Sequence, residues 1–256
     1  MNLHPDWLVP DWKVPGVGAL MTTRRGGFSA APFDSMNLQR GGGDSADAVA
    51  RNRARLAEAS GALPVFLQQV HGTRVVRLVA ADAQPGAEIH AADASLTTEP
   101  GLACAVQVAD CLPVLFAAPA ARAVGAAHAG WRGLAAGVLE ATVAALCEAA
   151  ACAPAELEAW LGAAIGPERF QVGADVLEAF GADLDTAAGP RFIAERPGKW
   201  LANLPLLAGE RLRAAGVTRV HGGRWCTVAE PSRFFSFRRD RLTGRMAAAV
   251  WIERSR

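Results

Sequence analysis

The sequence predicts an α+β (or α/β) fold, a single domain over residues 1–256 in which helices cover a mixed β-sheet. The chain has 256 residues, 51% of them hydrophobic, which is enough to bury one large core. Predicted strands and helices alternate, but without the regular spacing that is typical of a doubly wound parallel sheet. No internal repeat or low-complexity tail divides the chain into separate units.

The strands are predicted from short apolar and β-branched runs, and the helices from apolar residues at helical spacing. The predicted strands are 65–70, 74–80, 102–108, 112–117, 121–127, 157–165, 217–220 and 246–252. The predicted helices are 44–59, 131–150, 174–180 and 201–215. Asp44 or Ser45 is expected to cap the first helix, and Gly216 to end the last one.

Composition and charge limit the classes of partner. The formal net charge of +1 gives no global field that would attract nucleic acid or a membrane surface. Five cysteines without a CxxC pair do not suggest a disulfide framework, which favours a reducing compartment. The N-terminus lacks the features of a signal peptide, and no apolar stretch reaches membrane-spanning length. We therefore expect a cytoplasmic protein, and a monomer, because no amphipathic stripe is left over for a partner chain.

Three side chains that can bind a metal ion lie next to predicted strands. His71 precedes a glycine, Cys111 lies between two strands, and His128 follows a strand and precedes a helix. Two imidazoles and a thiolate suit tetrahedral zinc and leave a fourth position for water. Copper accepts the same ligands, but no weak axial ligand of a blue-copper site is evident in these motifs. The competing interpretation is a hydrogen-bonded turn histidine and an inert small cysteine.

Several motifs together resemble one known family, the YfiH-like family. The motifs are Gln68-Gln69-Val70-His71-Gly72, Ala109-Asp110-Cys111-Leu112-Pro113, His128-Ala129-Gly130-Trp131-Arg132-Gly133, Phe234-Phe235-Ser236-Phe237-Arg238-Arg239, Thr23-Arg24-Arg25-Gly26-Gly27-Phe28-Ser29 and Met36-Asn37-Leu38. They occur in matching order from about Met21 to Ile252. The family is also labelled polyphenol oxidase (laccase-like), purine nucleoside phosphorylase and peptidoglycan editing factor.

The resemblance implies a YfiH-like fold and a zinc ion on His71, Cys111 and His128. It also implies purine nucleosides and phosphate as ligands: phosphorolysis of adenosine, inosine, guanosine and methylthioadenosine, and deamination of adenosine. One departure is Asn203, which stands where the family pattern has an aspartate. Its loss matters if that acid assists catalysis, whereas an asparagine serves equally well if the residue only caps the following helix.

Candidate catalytic residues are the metal ligands Cys111 and His128 together with Asp110. Deamination needs a nucleophilic water at the purine C6 and a proton donor for the leaving ammonia. Asp110 is either a general acid/base or an orienting residue beside the thiolate, and a strand-end turn acid is the competing interpretation. Gln69 is a candidate hydrogen-bond partner for a purine edge, unless it faces outward from its strand.

Phosphorolysis also needs an anion held against the ribose C1′. The N–H groups at the start of the predicted helix 131–150 are one candidate, with Arg132 adding charge. Basic residues in other motifs complete the set. The full list of candidate substrate- or phosphate-binding residues is Arg24, Ser29, Asn37, Gln69, Arg132 and Arg238. For each arginine taken singly, a solvated surface position is an equally good interpretation.

Three other functions compete with a zinc enzyme acting on purine nucleosides. In a metal-free cysteine hydrolase, Cys111 is the nucleophile and His128 the base, which would suit the editing of a peptidoglycan precursor. A copper-dependent phenol oxidase (laccase-like) is disfavoured because five histidines are few for a multi-copper cluster. A non-catalytic binding module would use the metal only structurally.

Overall fold

A computed structural model of the protein describes residues 3–12, 14–182 and 189–254. The strands are β1 (Val17–Met21), β2 (Leu63–Phe66), β3 (Val75–Arg77), β4 (Ala94–Thr97), β5 (Leu102–Val108), β6 (Leu112–Ala117), β7 (Val124–Ala129), β8 (Glu158–Leu161), β9 (Gln171–Val172), β10 (Phe192–Arg196), β11 (Lys199–Ala202), β12 (Arg219–Gly222) and β13 (Met246–Ile252). The helices are α1 (Ala46–Ser60), α2 (Trp131–Ala136), α3 (Val138–Ala150), α4 (Ala174–Ala179), α5 (Leu204–Ala214) and α6 (Phe237–Asp240).

Two mixed sheets form the centre of the fold. One has four strands in the order β1-β13-β5-β2, and the other has six in the order β12-β8-β6-β7-β4-β3. The pairs β2–β5, β3–β4 and β8–β12 are parallel, and the other pairs in these two sheets are antiparallel. A third, antiparallel sheet of β10, β11 and β9 lies apart from them.

The two mixed sheets pack face to face, because alternate residues of their strands belong to different cores. Cys104 and Val106 of β5 join Leu115 of β6 in the core between the sheets. Ala103 of β5 instead packs with α1, and Val114 of β6 packs with α3. Successive side chains of a strand point to opposite faces, so both faces of each sheet are covered.

The α+β class is thereby confirmed, and helices cover the outer faces as expected. The expectation of one mixed sheet is too simple, because buried residues on both faces of β5 and β6 allow two sheets to stack. Among the described residues, no helix is both long and apolar enough to cross a bilayer.

The predicted helices 44–59 and 174–180 agree with α1 and α4 to within two residues, whereas the other two differ more from the structure. The predicted helix 131–150 is broken into α2 and α3 at Gly137, whose φ of 102° is outside the right-handed helical region. The predicted helix 201–215 begins only at Leu204, because β11 includes residues 201 and 202. Asn203 caps α5, and its Oδ1 accepts a hydrogen bond from the N–H of Leu206 at 3.1 Å. Asn203 therefore fills the capping role, as Ser45 does for α1.

Candidate metal centre

The structure brings His71, Cys111 and His128 together from three separate connections between strands. His71 lies on the loop between β2 and β3, Cys111 where the chain passes from β5 to β6, and His128 near the end of β7. One ligand atom from each residue lies within 4.8 Å of the other two. Cys111 Sγ is 3.7 Å from His71 Nε2, and the two imidazoles meet edge to face at 4.8 Å between ring centroids.

Asp93, immediately before β4, holds the residues of this group in place through hydrogen bonds. It is fully buried, and its carboxylate accepts hydrogen bonds from the N–H groups of Val70 at 3.1 Å, His71 at 2.9 Å and Gly72 at 2.7 Å. The same carboxylate accepts a bond from His128 Nδ1 at 2.8 Å. This contact leaves Nε2 of His128 for a metal ion and fixes the ring orientation.

Two glycines of the motif that follows His128 allow the elements to approach closely. A Cβ on Gly130 would lie 2.7 Å from Cδ2 of His71 and 3.1 Å from Sγ of Cys111. A Cβ on Gly133 would lie 2.9 Å from the carbonyl oxygen of Gly72. Only residues without side chains let α2 start against the loop that carries His71.

The electrostatics of the group favour a thiolate and a bound cation. Burial opposes ionisation of Cys111, but hydrogen bonds and charge from His128 and His71 lower its pKa to about 6. Burial also opposes protonation of His128, yet Asp93 and the thiolate raise its pKa to about 9. A divalent cation can take the place of the protons in such a group, because metal binding requires deprotonated ligands.

The donor set fits a zinc ion with a free coordination position. Two imidazole nitrogens and one thiolate are ligands that zinc prefers, and three protein ligands leave room for water or substrate. Copper is compatible with the same donors. Within the described ranges, these three residues form the one group of metal-binding side chains that converges in this way.

A cavity of about 500 Å³ opens beside the group, a size typical of small-molecule sites. Its described lining residues are Gln39, Arg40, Leu67, Gln68, Gln69, His71, Gln107, Val108, Ala109, Cys111, His128, Phe237 and Arg245. Two arginines and no carboxylate are among them, so the cavity favours an anionic ligand. Phe237 is 46% exposed, and the guanidinium carbon of Arg245 lies 5.6 Å from the centroid of its ring.

Gln69 and Asp110 lie close to the metal group. Gln69 lines the cavity, and its amide pairs with the backbone of Gln107 through bonds of 2.7 and 2.8 Å. Asp110 has an unusual φ of 101°, and its carboxylate accepts bonds from Thr227 Oγ1 and from the N–H of Arg238, each at 2.6 Å. In this arrangement Asp110 ties α6 to the turn that presents Cys111; its role as an acid/base stays a prediction.

The other candidate substrate residues lie outside the cavity lining. Arg24 donates to the carbonyl oxygens of Asp34 and Pro231, at 2.9 and 3.0 Å. Ser29 and Asn37 are buried and hydrogen-bonded within the loops around α1.

The other two candidate arginines also contact residues of this chain. Arg132 lies over the Trp131 ring at 4.4 Å. Arg238 donates to the carbonyl of Gln171 at 2.9 Å.

Sequence reasoning missed Asp93, Arg40, Phe237 and Arg245, although all four contact the metal group or line its cavity. Phe237 lies inside a recognised motif, so its position was available as a signal. Asp93 follows two alanines and shows no pattern typical of a metal site. Its role depends on backbone N–H groups that converge only in the folded chain.

Comparison with known proteins identifies the family of the chain. The sequence matches the family described as "Multi-copper polyphenol oxidoreductase laccase" over residues 18–253. It is 48% identical over 248 residues to "Purine nucleoside phosphorylase PA4543" of Pseudomonas aeruginosa, covering 96% of this chain and 98% of that protein. "Purine nucleoside phosphorylase YfiH" of Escherichia coli is also 48% identical, with the same two coverages. The crystal structure of Neisseria meningitidis protein NMB0706 superposes with a TM-score of 0.88 at 46% identity, covering 97% of this chain and 100% of that one.

The fold and the site define an α+β protein with a candidate His–Cys–His metal centre at the wall of a small-molecule cavity. The chain belongs to the multi-copper polyphenol oxidoreductase laccase family, which includes the YfiH-like proteins. The predicted family is thus confirmed, and the names of its relatives support an enzyme.

Proposed function

We propose that this protein is a zinc-dependent purine nucleoside phosphorylase that also deaminates adenosine. The observation that carries the proposal is the convergence of His71, Cys111 and His128 beside an open, carboxylate-free cavity. The proposed substrates are adenosine, inosine, guanosine and methylthioadenosine, with phosphate as the second substrate. The names of the relatives from Pseudomonas aeruginosa and Escherichia coli support the phosphorylase activity.

The residues of the site have separate tasks in this proposal. His71, Cys111 and His128 hold the metal ion, and Asp93 fixes the orientation of His128. A zinc ion bound there would supply Lewis acidity and lower the pKa of a coordinated water towards neutrality. Phe237 provides a stacking surface for the purine, and the adjacent arginines offset the negative charge of phosphate.

Zinc is proposed rather than copper because two imidazoles and one thiolate with a free fourth position are typical of a catalytic zinc ion, and a single such group holds one ion. The name of the family refers to multi-copper chemistry. Phenol oxidation by such enzymes needs several copper ions, whereas the chain has five histidines in total. Metal analysis of the purified protein tests the choice: one zinc per chain supports it, and stoichiometric copper with visible absorbance contradicts it.

The decisive experiment is incubation with adenosine, with and without phosphate, followed by product analysis. Adenine with ribose 1-phosphate indicates phosphorolysis, and inosine alone indicates deamination. His71→Ala is expected to abolish both activities. His221→Ala is the matched control, because that histidine pairs with Glu158 at 2.7 Å and takes no part in the metal group. Turnover retained by His71→Ala would refute a catalytic metal.

A second candidate is a cysteine hydrolase that edits a peptidoglycan precursor. The specific observation in its favour is the pKa of Cys111, which the two histidines lower to about 6 against the effect of burial. A thiolate at neutral pH is a competent nucleophile, with His128 as its proton partner. Full activity after removal of the metal, together with inactivation by an alkylating reagent, would favour this candidate over the zinc enzyme.

We also propose that residues 1–256 act as one domain, as a cytoplasmic monomer without nucleic-acid or membrane partners. The five cysteines are unpaired, which suits a reducing compartment. Light scattering coupled to size-exclusion chromatography tests the monomer. A mass of twice the 26.7 kDa of the chain would contradict it.

A further inference from the structure

Positive charge is concentrated where the metal cavity meets a second cavity. The second cavity has a volume of about 840 Å³ and shares Arg40, Gln68 and Gln107 with the metal cavity, so the two form one cleft. Arg245 lines the inner part and Arg53 the outer part.

Arg245 presents most of its donors to the inner cavity. Its backbone N–H is fixed by Oδ1 of Asn37 at 2.9 Å, and Asn37 is in turn held by Asp44. Among the described residues, the guanidinium itself donates only to the carbonyl oxygen of Gly244, at 3.2 Å. Burial lowers the pKa of Arg245, and the nearby negative charges of Cys111 and Asp110 offset this only in part. The guanidinium has therefore lost water, while no carboxylate is hydrogen-bonded to it within the described residues. Arginine has five N–H donors, and several remain for a ligand.

Arg53 is arranged in the same way on the other side of Leu38. Its Nε donates to the Leu38 carbonyl at 2.9 Å, while the Leu38 N–H donates to the carbonyl of Arg245 at 3.1 Å. The Arg53 guanidinium lies over the ring of Phe66 at 4.0 Å. Burial, together with the nearby charge of Arg40, lowers the pKa of Arg53 to about 10.

None of the three arginines forms a salt bridge within the part of the chain that the structure describes. Gln107 adds a neutral donor, since its buried Nε2 has no hydrogen-bond partner there either. Asp82 also lines the outer cavity, but its carboxylate already accepts bonds from His90 and from the N–H of Val79, both at 2.8 Å. Glu88 is the other acidic residue of the outer cavity, and the inner part has none.

We propose that Arg40, Arg53 and Arg245, all of which lie outside the recognised motifs, form a binding site for a phosphate-type oxyanion. Planar guanidinium groups bind phosphate through paired hydrogen bonds. The half-buried Arg53 and Arg245 and the exposed Arg40 are suited to this, since none of them forms a salt bridge among the described residues. The role of this oxyanion as co-substrate rests on the proposed phosphorolysis. The binding site itself rests only on the arrangement of the arginines.

The test is calorimetric titration of the zinc-loaded, full-length protein with inorganic phosphate and, separately, with adenosine 5′-monophosphate. Arg40→Gln, Arg53→Gln and Arg245→Gln are each expected to weaken binding by about tenfold to a hundredfold, because each removes charge-assisted hydrogen bonds. Arg51→Gln is the matched control: Arg51 lies on the same helix as Arg53 and over the ring of Phe28 at 3.9 Å, but lines a different cavity. Melting temperatures and zinc content verify that each variant folds.

The outcomes separate this site from the proposed function. Weaker binding of either anion in the three variants, with binding by Arg51→Gln unchanged, supports the site. The anion that binds more tightly to the wild-type protein shows whether the site takes free phosphate or the phosphate group of a nucleotide. Binding that the three substitutions leave unchanged means that the anion meets the metal alone, which overturns the proposal, as does no binding by wild type. A wild type that binds phosphate through these arginines but forms no ribose 1-phosphate retains the site and refutes phosphorolysis.

Discussion

Replacing Asp93 with asparagine tests whether one buried carboxylate organises the whole metal centre. Each carboxylate oxygen has two donors: Oδ1 accepts from the N–H of His71 at 2.9 Å and from His128 Nδ1 at 2.8 Å. Oδ2 accepts from the N–H groups of Gly72 at 2.7 Å and Val70 at 3.1 Å. Asparagine keeps the shape but replaces one oxygen with an NH₂ group. With the NH₂ group at the Oδ2 position, two backbone N–H donors face a donor. At the Oδ1 position only the N–H of His71 must do so, because His128 can change its tautomer.

The expected magnitudes follow from these contacts. Each buried donor left without an acceptor costs about 1–3 kcal/mol, and one or two are orphaned, so Asp93→Asn is expected to destabilise the metal-free protein by about 1–6 kcal/mol. His128 also loses the carboxylate that sets its tautomer, which is expected to weaken zinc binding by about 10- to 100-fold. Urea unfolding measures the first effect, and competition with a chromogenic chelator measures the second.

Glu158→Gln is the control for a lost histidine–carboxylate contact. Glu158 accepts from His221 at 2.7 Å and from Arg219 at 3.2 Å. It pairs with Ala117, at the opposite end of β6 from Cys111. Zinc affinity within twofold of wild type in Asp93→Asn would refute the reasoning, as would an equal loss in Glu158→Gln.

Three further predictions concern the glycine contact, the helix cap and the thiolate. Gly130→Ala is expected to lower zinc affinity by about 100-fold, because its Cβ, at 2.7 Å from Cδ2 of His71, displaces the ring; zinc competition checks this. Gly189→Ala, which meets nothing within 4 Å, should leave zinc binding unchanged. Asn203→Ala is expected to cost about 1 kcal/mol of unfolding free energy and no kcat/KM, since only a helix cap is lost; a large loss of kcat/KM would restore a catalytic role. In the metal-free protein, the rate of Cys111 alkylation by iodoacetamide should rise with pH around a midpoint of about 6, because the thiolate is the reactive form. Peptide mass spectrometry measures this rate, and a midpoint near 9 would contradict the lowered pKa.

Part of the fold could be predicted to the residue. β5, β6 and β13 have the predicted bounds because nearly all of their residues are buried and turn residues flank them. The short strand β1 was missed, since five residues give too little periodicity. Across Gly137, the helical pattern of apolar residues continues in the sequence, although the helix itself is interrupted there. A helical pattern reports which face is buried, not whether the peptide chain stays helical.

The metal ligands were identifiable because each lies in a local motif, whereas Asp93 was not. His71 and His128 are separated along the chain by more than fifty residues, and a carboxylate that bonds to both is specified by tertiary structure alone. The sequence carries no direct sign of a residue whose partners are mostly backbone N–H groups.

The arginines show a related difficulty. Arg24 and Arg238 lie in motifs, yet their guanidinium groups bond to backbone carbonyls and hold loops together. Arginines of this kind maintain the shape of the site. They can therefore be part of a family motif in the same way as residues that bind a ligand. Arg40 and Arg245 instead keep unused donors next to the metal group. An arginine whose donors are already satisfied by protein carbonyls has little to offer a phosphate, and only the folded structure distinguishes the two kinds.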